Sequence, residues 1–304
     1  MKLAVLIQCH KNPKQINRLL NAMKNDSVDF FIHIDKKSNI EDLIEHREDV
    51  RILAESERVD VRWGTFSQVQ ATLKLLNFAA SVGNYDYYFL ISGQDFPIQS
   101  VESLLNCLSE NAGLNYINFL PSLNNGLNKQ NNYDKRNQII FGDRLHKRNL
   151  FMRTVKRLWI TLTGGYNKTF KIFRRKNDLN LKFYFGSQWW CLNREFIEYL
   201  LDYLRETPQY IEFFKKTSCP DESFFQTAFM NSPFKEKRKE YLHYIDWTEG
   251  KNSPKNLTVD DFDKIIQSGK FMARKIDNDF ELIDKLEAAA KNGRKNENSA
   301  YRSN

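Results

Sequence analysis

The sequence predicts an α/β fold, a mostly parallel central sheet with helices on both faces. Three observations carry this expectation. Residues 2–9 (KLAVLIQC), 29–34 (DFFIHI) and 85–92 (YDYYFLIS) are short, nearly continuous apolar runs, as strands buried on both faces require. Between the first two, Ile16, Leu19, Leu20 and Met23 recur at helical spacing. Strand and helix then alternate through the first half, the pattern of a doubly wound sheet.

Taken in order, the first strand ends in a turn, His10-Lys11-Asn12-Pro13, and the second in Asp35-Lys36-Lys37-Ser38. Residues 39–47 are expected to be helical and 50–53 a short strand. Val61-Arg62-Trp63-Gly64 leads into a helix over 66–82. The strand at 85–92 runs into Gly93-Gln94-Asp95-Phe96-Pro97, which places Asp95 on a tight loop. A helix at 100–110 and a strand at 115–120 follow, then an Asn- and Gly-rich stretch, 121–142, that reads as a long loop. Residues 181–192 (LKFYFGSQWWCL) read as an aromatic strand broken at Gly186-Ser187, with Trp189 and Trp190 available as a stacking wall for a sugar ring. A helix is expected at 195–204.

The stretch 217–227 reads as a helix start. Ser218 or Cys219 caps, Pro220 takes the first helical position, and Asp221 and Glu222 fill the first turn, where a helix dipole holds a carboxylate ionised. The same two acids also read as simple complements to that dipole. Strand-like 241–247, a turn at 253–255, a helix over 258–268, the segment 271–275 and a final helix at 279–291 complete the chain, with a polar tail expected to be disordered.

The chain has 304 residues, 41% hydrophobic and 13% aromatic, enough for one large domain or two small ones. A net charge of +8 points to an anionic partner: a nucleotide, a nucleic acid or a membrane surface. Ten Lys and Arg and no acid lie between 147 and 176, and 147–162 forms a basic amphipathic pattern. It reads either as a contact with an anionic membrane or as a packed helix with a solvated basic face. Cys9, Cys107, Cys191 and Cys219 form no CxxC pair and read as reduced, mostly buried thiols. With no signal peptide and no apolar run near the ~18 residues of a membrane span, the expected location is the cytoplasm, at most bound to the inner membrane face. In open α/β sheets ligands bind beyond the carboxyl ends of the strands. That rule selects His10, Asp35 and Asp95, each of which also reads as an ordinary turn or cap residue.

A set of short motifs occurs in register: His10 with Pro13 and Gln15; His33-Ile34-Asp35-Lys36-Lys37-Ser38; Trp63-Gly64; Ile91-Ser92-Gly93-Gln94-Asp95-Phe96-Pro97; Gly186-Ser187-Gln188-Trp189-Trp190; Pro220-Asp221-Glu222; Ile245-Asp246-Trp247; and Phe271-Met272-Ala273-Arg274-Lys275. Together they resemble the core-2/I-branching glycosyltransferases, the family of β-1,6-N-acetylglucosaminyltransferases and peptide O-xylosyltransferases. The resemblance runs from about residue 3 to about residue 280, and the Gly-Ser-Gln-Trp-Trp-Cys-Leu-Asn-Arg run is closer to the xylosyltransferase branch.

The resemblance implies a GT-A-like nucleotide-diphosphosugar transferase fold, an inverting reaction, and no obligatory metal or cofactor. No Asp-x-Asp follows 85–92; Asp277-Asn278-Asp279 fits that pattern but lies near the final helix. Glu222 is then the general base toward the acceptor hydroxyl. Arg274 and Lys275, with His243, face the diphosphate. His10, Asp35, Lys37 and Trp63 serve the nucleotide. Asp95, Trp189, Trp190, Asp221 and Trp247 serve the donor sugar and acceptor. Where the family pattern carries Arg two residues before Ile-Asp-Trp, this chain has His243, which supplies less charge at pH 7. The implied partners are a UDP-sugar, with UDP-N-acetylglucosamine or UDP-xylose as precedents, and a glycan or lipid-linked glycan acceptor in bacterial surface polysaccharide synthesis. One domain is expected over 1–290: a nucleotide-binding half at 1–120, a loop and basic insertion at 121–180, and an acceptor and catalytic half at 181–290. A nucleic-acid or anionic-membrane binding module without catalysis, and a glycoside hydrolase using Asp95 and Glu222 as a carboxylate pair, are the competing readings.

Overall fold

A computed structural model describes residues 1–119, 179–217, 219–249 and 253–301, with isolated positions between 154 and 164. The expected loop at 121–142, nearly all of the basic segment at 147–176, and the cap candidate Ser218 lie outside the described residues.

The first half alternates as the sequence predicts: β1 (Leu3–Cys9), α1 (Pro13–Ala22), β2 (Val28–Ile34), β3 (Val50–Ile52), α2 (Phe66–Val82), β4 (Tyr87–Ser92), β5 (Asp95–Pro97), α3 (Val101–Glu110) and β6 (Asn115–Ile117). The second half supplies β7 (Trp190–Asn193), α4 (Arg194–Glu206), α5 (Pro208–Phe214), α6 (Phe224–Met230), β8 (Arg238–Lys239), β9 (His243–Ile245), α7 (Phe262–Gln267), β10 (Met272–Arg274) and α8 (Phe280–Tyr301). A seven-stranded sheet has the order β3-β2-β1-β4-β7-β6-β8, and a three-stranded sheet the order β5-β10-β9. In the large sheet β1, β2, β3 and β4 pair in parallel, and β7 runs antiparallel to both β4 and β6.

Strand periodicity sorts the core onto two faces. Val5 and Ile7 with Phe30, Ile32, Phe89 and Ile91 pack against Ile16, Leu19 and Leu20 of α1 and Leu282, Ile283 and Leu286 of α8. Ala4 and Leu6 with Phe31, Tyr88 and Leu90 pack against Val69, Leu75 and Leu76 of α2 and Phe196, Ile197 and Leu200 of α4. Burial on both faces explains why these strands read as continuous apolar runs.

The departures from the sequence reading have physical causes. Residues 39–47 hold only a 3-10 turn, Glu41–Leu43, none of it buried, and the chain turns extended at the core residue Ile44. The aromatic run 181–192 is extended chain until Trp190, where β7 begins; its aromatics face the core without a ladder before that point. The stretch at 217–227 is two pieces: a 3-10 turn, Pro220–Glu222, and α6, separated at Ser223 with φ −139°. Glu222 therefore precedes the α-helix rather than sitting in its first turn. Residues 95–97, expected as a loop, form β5 and start the second sheet. α8 runs on to Tyr301, past the expected end at 291 and through residues whose polar composition predicts disorder. None of the four cysteines is in a disulfide, and Cys9 and Cys191 are buried. Among the described residues no helix is long and apolar enough to cross a membrane.

Candidate active site

The site grows from the point where β4 leaves the large sheet. Gly93 makes the turn against β1: a Cβ there would lie 2.8 Å from Cβ of Cys9, so no larger residue fits without displacement. Two residues on, the chain enters β5 and pairs antiparallel with β10, placing Asp95 opposite Arg274. Opposite residues on antiparallel strands present side chains to the same face. Arg274 Nη1 accordingly donates to Asp95 Oδ1 at 2.6 Å. The other carboxylate oxygen accepts from the Ser92 N–H at 2.8 Å. It also lies 3.3 Å from His243 Nε2, which β9 brings alongside, although neither His243 nitrogen is aligned for a hydrogen bond. The Arg274 guanidinium covers the Trp189 ring at 4.1 Å from its centroid, a cation–π contact.

This cluster is closed to solvent. The Asp95 side chain is 0% exposed and that of Arg274 only 14%. Burial alone would raise the Asp95 pKa, but Arg274, His243 and the Ser92 N–H outweigh it and hold the carboxyl below its ordinary value. Burial lowers the His243 pKa, against the opposite pull of Asp95. The ring is neutral at pH 7, packed among Phe89, Trp189 and Tyr241. Two residues singled out in the sequence fall in this cluster. Asp95, expected at the donor sugar, is enclosed, which also removes it as the exposed half of a hydrolytic pair with Glu222. His243, expected at the diphosphate, stands behind Asp95 and is 1% exposed.

Lys275 emerges next to this cluster. It is half-buried, and among the described residues its ammonium makes no ion pair and no side-chain hydrogen bond. Burial, then Arg274 and Lys11, lower its pKa, opposed by Asp277. The β1–α1 turn builds the other wall. Lys11 Nζ and Asn12 Nδ2 each reach Asp277 at 2.7 Å. Gln15, fully buried, donates to Gly93 O at 3.1 Å and Ile276 O at 3.2 Å and accepts from Asn278 N–H at 2.9 Å. One amide thus ties the turn after β4 to the loop carrying Lys275. The family motif includes Gln15, but only the fold reveals what it holds. His10 stands on this wall with an accessible ring, and partial desolvation by the neighbouring chain, then Lys11, lower its pKa.

The second strand end is tightly self-paired. Asp35 accepts from the Lys37 backbone N–H at 3.0 Å, and Lys37 Nζ lies between Asp35, Asp60 and the Val61 carbonyl. Lys37 therefore braces the approach to Trp63, which is 52% exposed.

Glu222 is half-buried on the far side, on a turn held at three points. Its carbonyl accepts from Gly186 N–H at 2.9 Å, Cys219 N–H donates to Gly64 O at 2.9 Å, and Gln226 Nε2 donates to Ser187 O at 2.6 Å. The contact with Gly186 requires glycine: a Cβ there would lie 1.8 Å from Asn118 O. Residues 186–189 thereby connect the Glu222 turn to Trp189 and Arg274. A chain of amides that the sequence did not announce reinforces the link. Gly64 N–H donates to Gln68 Oε1 at 2.7 Å, Gln68 to Gln188 at 3.4 Å, and Gln188 to Gln8 Oε1 on β1 at 3.1 Å. Asp221 is buried beside Glu222. Trp247 is 54% exposed after β9, where Asp246 accepts from Thr248 N–H at 2.7 Å. Trp190, expected with Trp189 as a stacking wall, is fully buried on β7 against Phe225. Among the described residues no group of His, Cys, Asp and Glu is arranged to hold a metal ion.

Over residues 3–266 the sequence matches the family model of the Core-2/I-Branching enzyme. It is 25% identical over 307 residues to Xylosyltransferase 2 of Rattus norvegicus, covering 91% of this chain and 32% of that protein. It is 25% identical over 309 residues to Xylosyltransferase 2 of Homo sapiens, with 91% and 32% covered. Against Xylosyltransferase 1 of Rattus norvegicus it is 23% identical over 303 residues, with 90% and 33% covered. The chain spans about a third of the length of these curated relatives.

Proposed function

This chain belongs to the Core-2/I-Branching enzyme family, and we propose that it is an inverting glycosyltransferase that moves a sugar from a UDP-sugar to a hydroxyl of a glycan acceptor without a metal ion. The observation that carries the reading is the basic pair at the carboxyl edge of the sheet. β10 brings Arg274 and Lys275 to the end of β4, where an α/β fold presents its ligand. A departing nucleoside diphosphate gathers negative charge at that point, and fixed cations there stabilise the transition state more than the ground state.

In this proposal Glu222 takes the acceptor proton while the acceptor oxygen attacks the anomeric carbon from the face opposite the diphosphate. The turn that carries it is fixed to the 186–189 segment, so its position relative to Trp189 and Arg274 is set by backbone bonds. His10, Asp35 and Trp63 lie along the nucleotide side, and Trp189, Asp221 and Trp247 toward sugar and acceptor. The names of the relatives favour UDP-xylose as donor, with UDP-N-acetylglucosamine next. Action at the cytoplasmic face of a membrane, with 147–176 against anionic lipid and the product entering a surface polysaccharide, belongs to the same proposal.

The test is UDP release from a panel of UDP-sugars with EDTA present, for wild type and Glu222→Gln. One donor should be turned over, indifferent to EDTA, and the Gln variant should be slower by about 10²–10⁴-fold, the usual worth of a general base. Release that collapses with EDTA would overturn the metal-independent reading. Full activity in the variant would remove Glu222 from the role.

A further inference from the structure

We propose that Gln68 and Gln188 are positioning residues for the proton-accepting carboxylate: their side-chain amides close a ring of hydrogen bonds that fixes the Glu222 turn against the Trp63-Gly64 loop and the 186–189 segment. The proposal rests on the role given to Glu222 above and deepens it.

The turn that bears Glu222 is weakly held from within. It is a single 3-10 turn, Pro220–Glu222, that precedes α6 and starts from Cys219 in a left-handed conformation, φ 50°. Its two ends are bonded outward. Cys219 N–H donates to Gly64 O and Glu222 O accepts from Gly186 N–H, each at 2.9 Å. Gly64 and Gly186 lie on irregular chain, the one before α2 and the other before β7. A turn tied to two loops is placed only as well as those loops are placed relative to each other.

The amides supply that relation. Gly64 N–H donates to Gln68 Oε1 at 2.7 Å, and Gln68 Nε2 donates to Gln188 Oε1 at 3.4 Å. From Gln188 the path follows the chain back to Gly186, crosses to Glu222, returns along the turn to Cys219 and crosses to Gly64, which closes the ring. A branch anchors it to the large sheet and to α2. Gln188 Nε2 donates to Gln8 Oε1 on β1 at 3.1 Å, and Gln8 Nε2 donates to Thr72 Oγ1 at 2.7 Å and to Gln68 O at 3.3 Å. In all three glutamines the carbonyl accepts and the amide donates, head to tail, so each bond polarises the next. Apolar contact already joins α2 to α6, with the Phe66 and Phe224 rings 6.0 Å apart. What the amides add is direction, because a hydrogen bond constrains both distance and angle. Trp63 adjoins Gly64 and Trp189 adjoins Gln188, so the ring sets both indoles and the carboxylate as one unit. A misplacement of about 1 Å in such a unit costs on the order of 10²-fold in rate.

The experiment is steady-state UDP release by the full chain, with the donor that the UDP-sugar panel selects, for wild type, Gln188→Leu, Gln68→Leu and the double variant. Gln188→Leu is also measured in the Glu222→Gln background, and Tm is recorded for every protein. Each single variant should lower kcat by about 10- to 100-fold while the donor KM moves by less than about threefold. The double variant should lose less than the product of the two, since both break one link. With Glu222 already replaced, Gln188→Leu should lower kcat by less than about threefold, because no carboxylate remains to be placed; a merely structural loss would multiply in either background. Gln68→Leu also leaves Gly64 N–H without its acceptor, so if that variant does not fold, Gln188→Leu carries the test. An equal loss in the two backgrounds, a raised KM at unchanged kcat, or wild-type kcat in Gln188→Leu overturns the ring while leaving Glu222 in its role. No release by wild type from any donor, or full activity in Glu222→Gln, removes the reading on which the ring rests.

Discussion

His33 makes the stability of this protein depend on pH in a way that can be calculated. It lies at the end of β2, is 1% exposed, and its Nε2 accepts the Val59 N–H at 2.9 Å. That bond requires a neutral ring with its proton on Nδ1; a protonated ring would set two N–H groups against each other. Burial lowers the pKa from 6.5 to about 4, the pull of Asp35 in the other direction being outweighed. Between those values the unfolded chain binds a proton that the folded chain refuses, so stability rises with pH. The contribution is complete above about pH 6.5 and is lost as pH falls through about 4. At about 1.4 kcal/mol per pKa unit the drop is worth roughly 3 kcal/mol, a large share of the ~5–15 kcal/mol that holds an ordinary domain folded. The assay is urea unfolding of wild type and His33→Gln at pH 7 and pH 4. Glutamine can accept the Val59 N–H without titrating. Wild type should lose about 3 kcal/mol more than the variant across that interval. A difference below about 1 kcal/mol would refute the assignment. The effect reaches the site, because Val59 O accepts from Lys36 N–H at 3.1 Å and the chain then runs on to Asp60 and Trp63.

Two further substitutions probe the joints of the site. Gly186→Ala places a methyl group 1.8 Å from Asn118 O, so the strand end and the Glu222 turn must separate. It should cost at least about 1–3 kcal/mol, read as a lowered Tm, with UDP release reduced further than the stability loss explains. Gln15→Leu removes the bonds to Gly93, Ile276 and Asn278 and leaves buried backbone groups unpaired. At about 1–3 kcal/mol per unsatisfied group it should lower the urea midpoint and, by freeing the loop after Lys275, weaken UDP.

The parts of the fold that can be read from the sequence are those whose signal is local. Residues 66–82 are seventeen residues free of Gly and Pro, preceded by Thr65, whose side chain caps them, and the helix is Phe66–Val82. The doubly buried strands β1, β2 and β4 declare themselves as apolar runs. The small sheet does not, because three-residue strands such as β5 and β10 exist through their partners rather than through propensity. The same distinction explains the site. Short motifs identify Arg274, Lys275 and Glu222, but no local pattern says that Asp95 will be sealed under Arg274, or that Trp190 will turn inward where Trp189 turns toward a cation. The Gln8–Gln188–Gln68 chain joins residues up to 180 apart in sequence and leaves no trace in either neighbourhood.

How the second sheet is built decides which substitutions can report chemistry. β4 continues through Gly93 into β5, and β10 pairs with β5 at Asp95, so the ion pair that orients Arg274 also helps close the sheet. Any change at Asp95 or Arg274 mixes positioning with stability, since breaking a buried pair leaves a charge without its partner at a cost of about 3–5 kcal/mol. Lys275 follows β10, and Glu222 sits on a turn whose backbone is bonded to Gly186, so the main-chain supports of both are independent of the Asp95–Arg274 pair. The fold thus separates an inner layer that sets geometry from outer groups assigned here to the charge and the proton transfer. Kinetic comparison should set the outer variants against the inner ones at matched folded fraction: the outer pair should change rate or affinity by more than any shift in Tm explains, and the inner pair should change both in step with Tm.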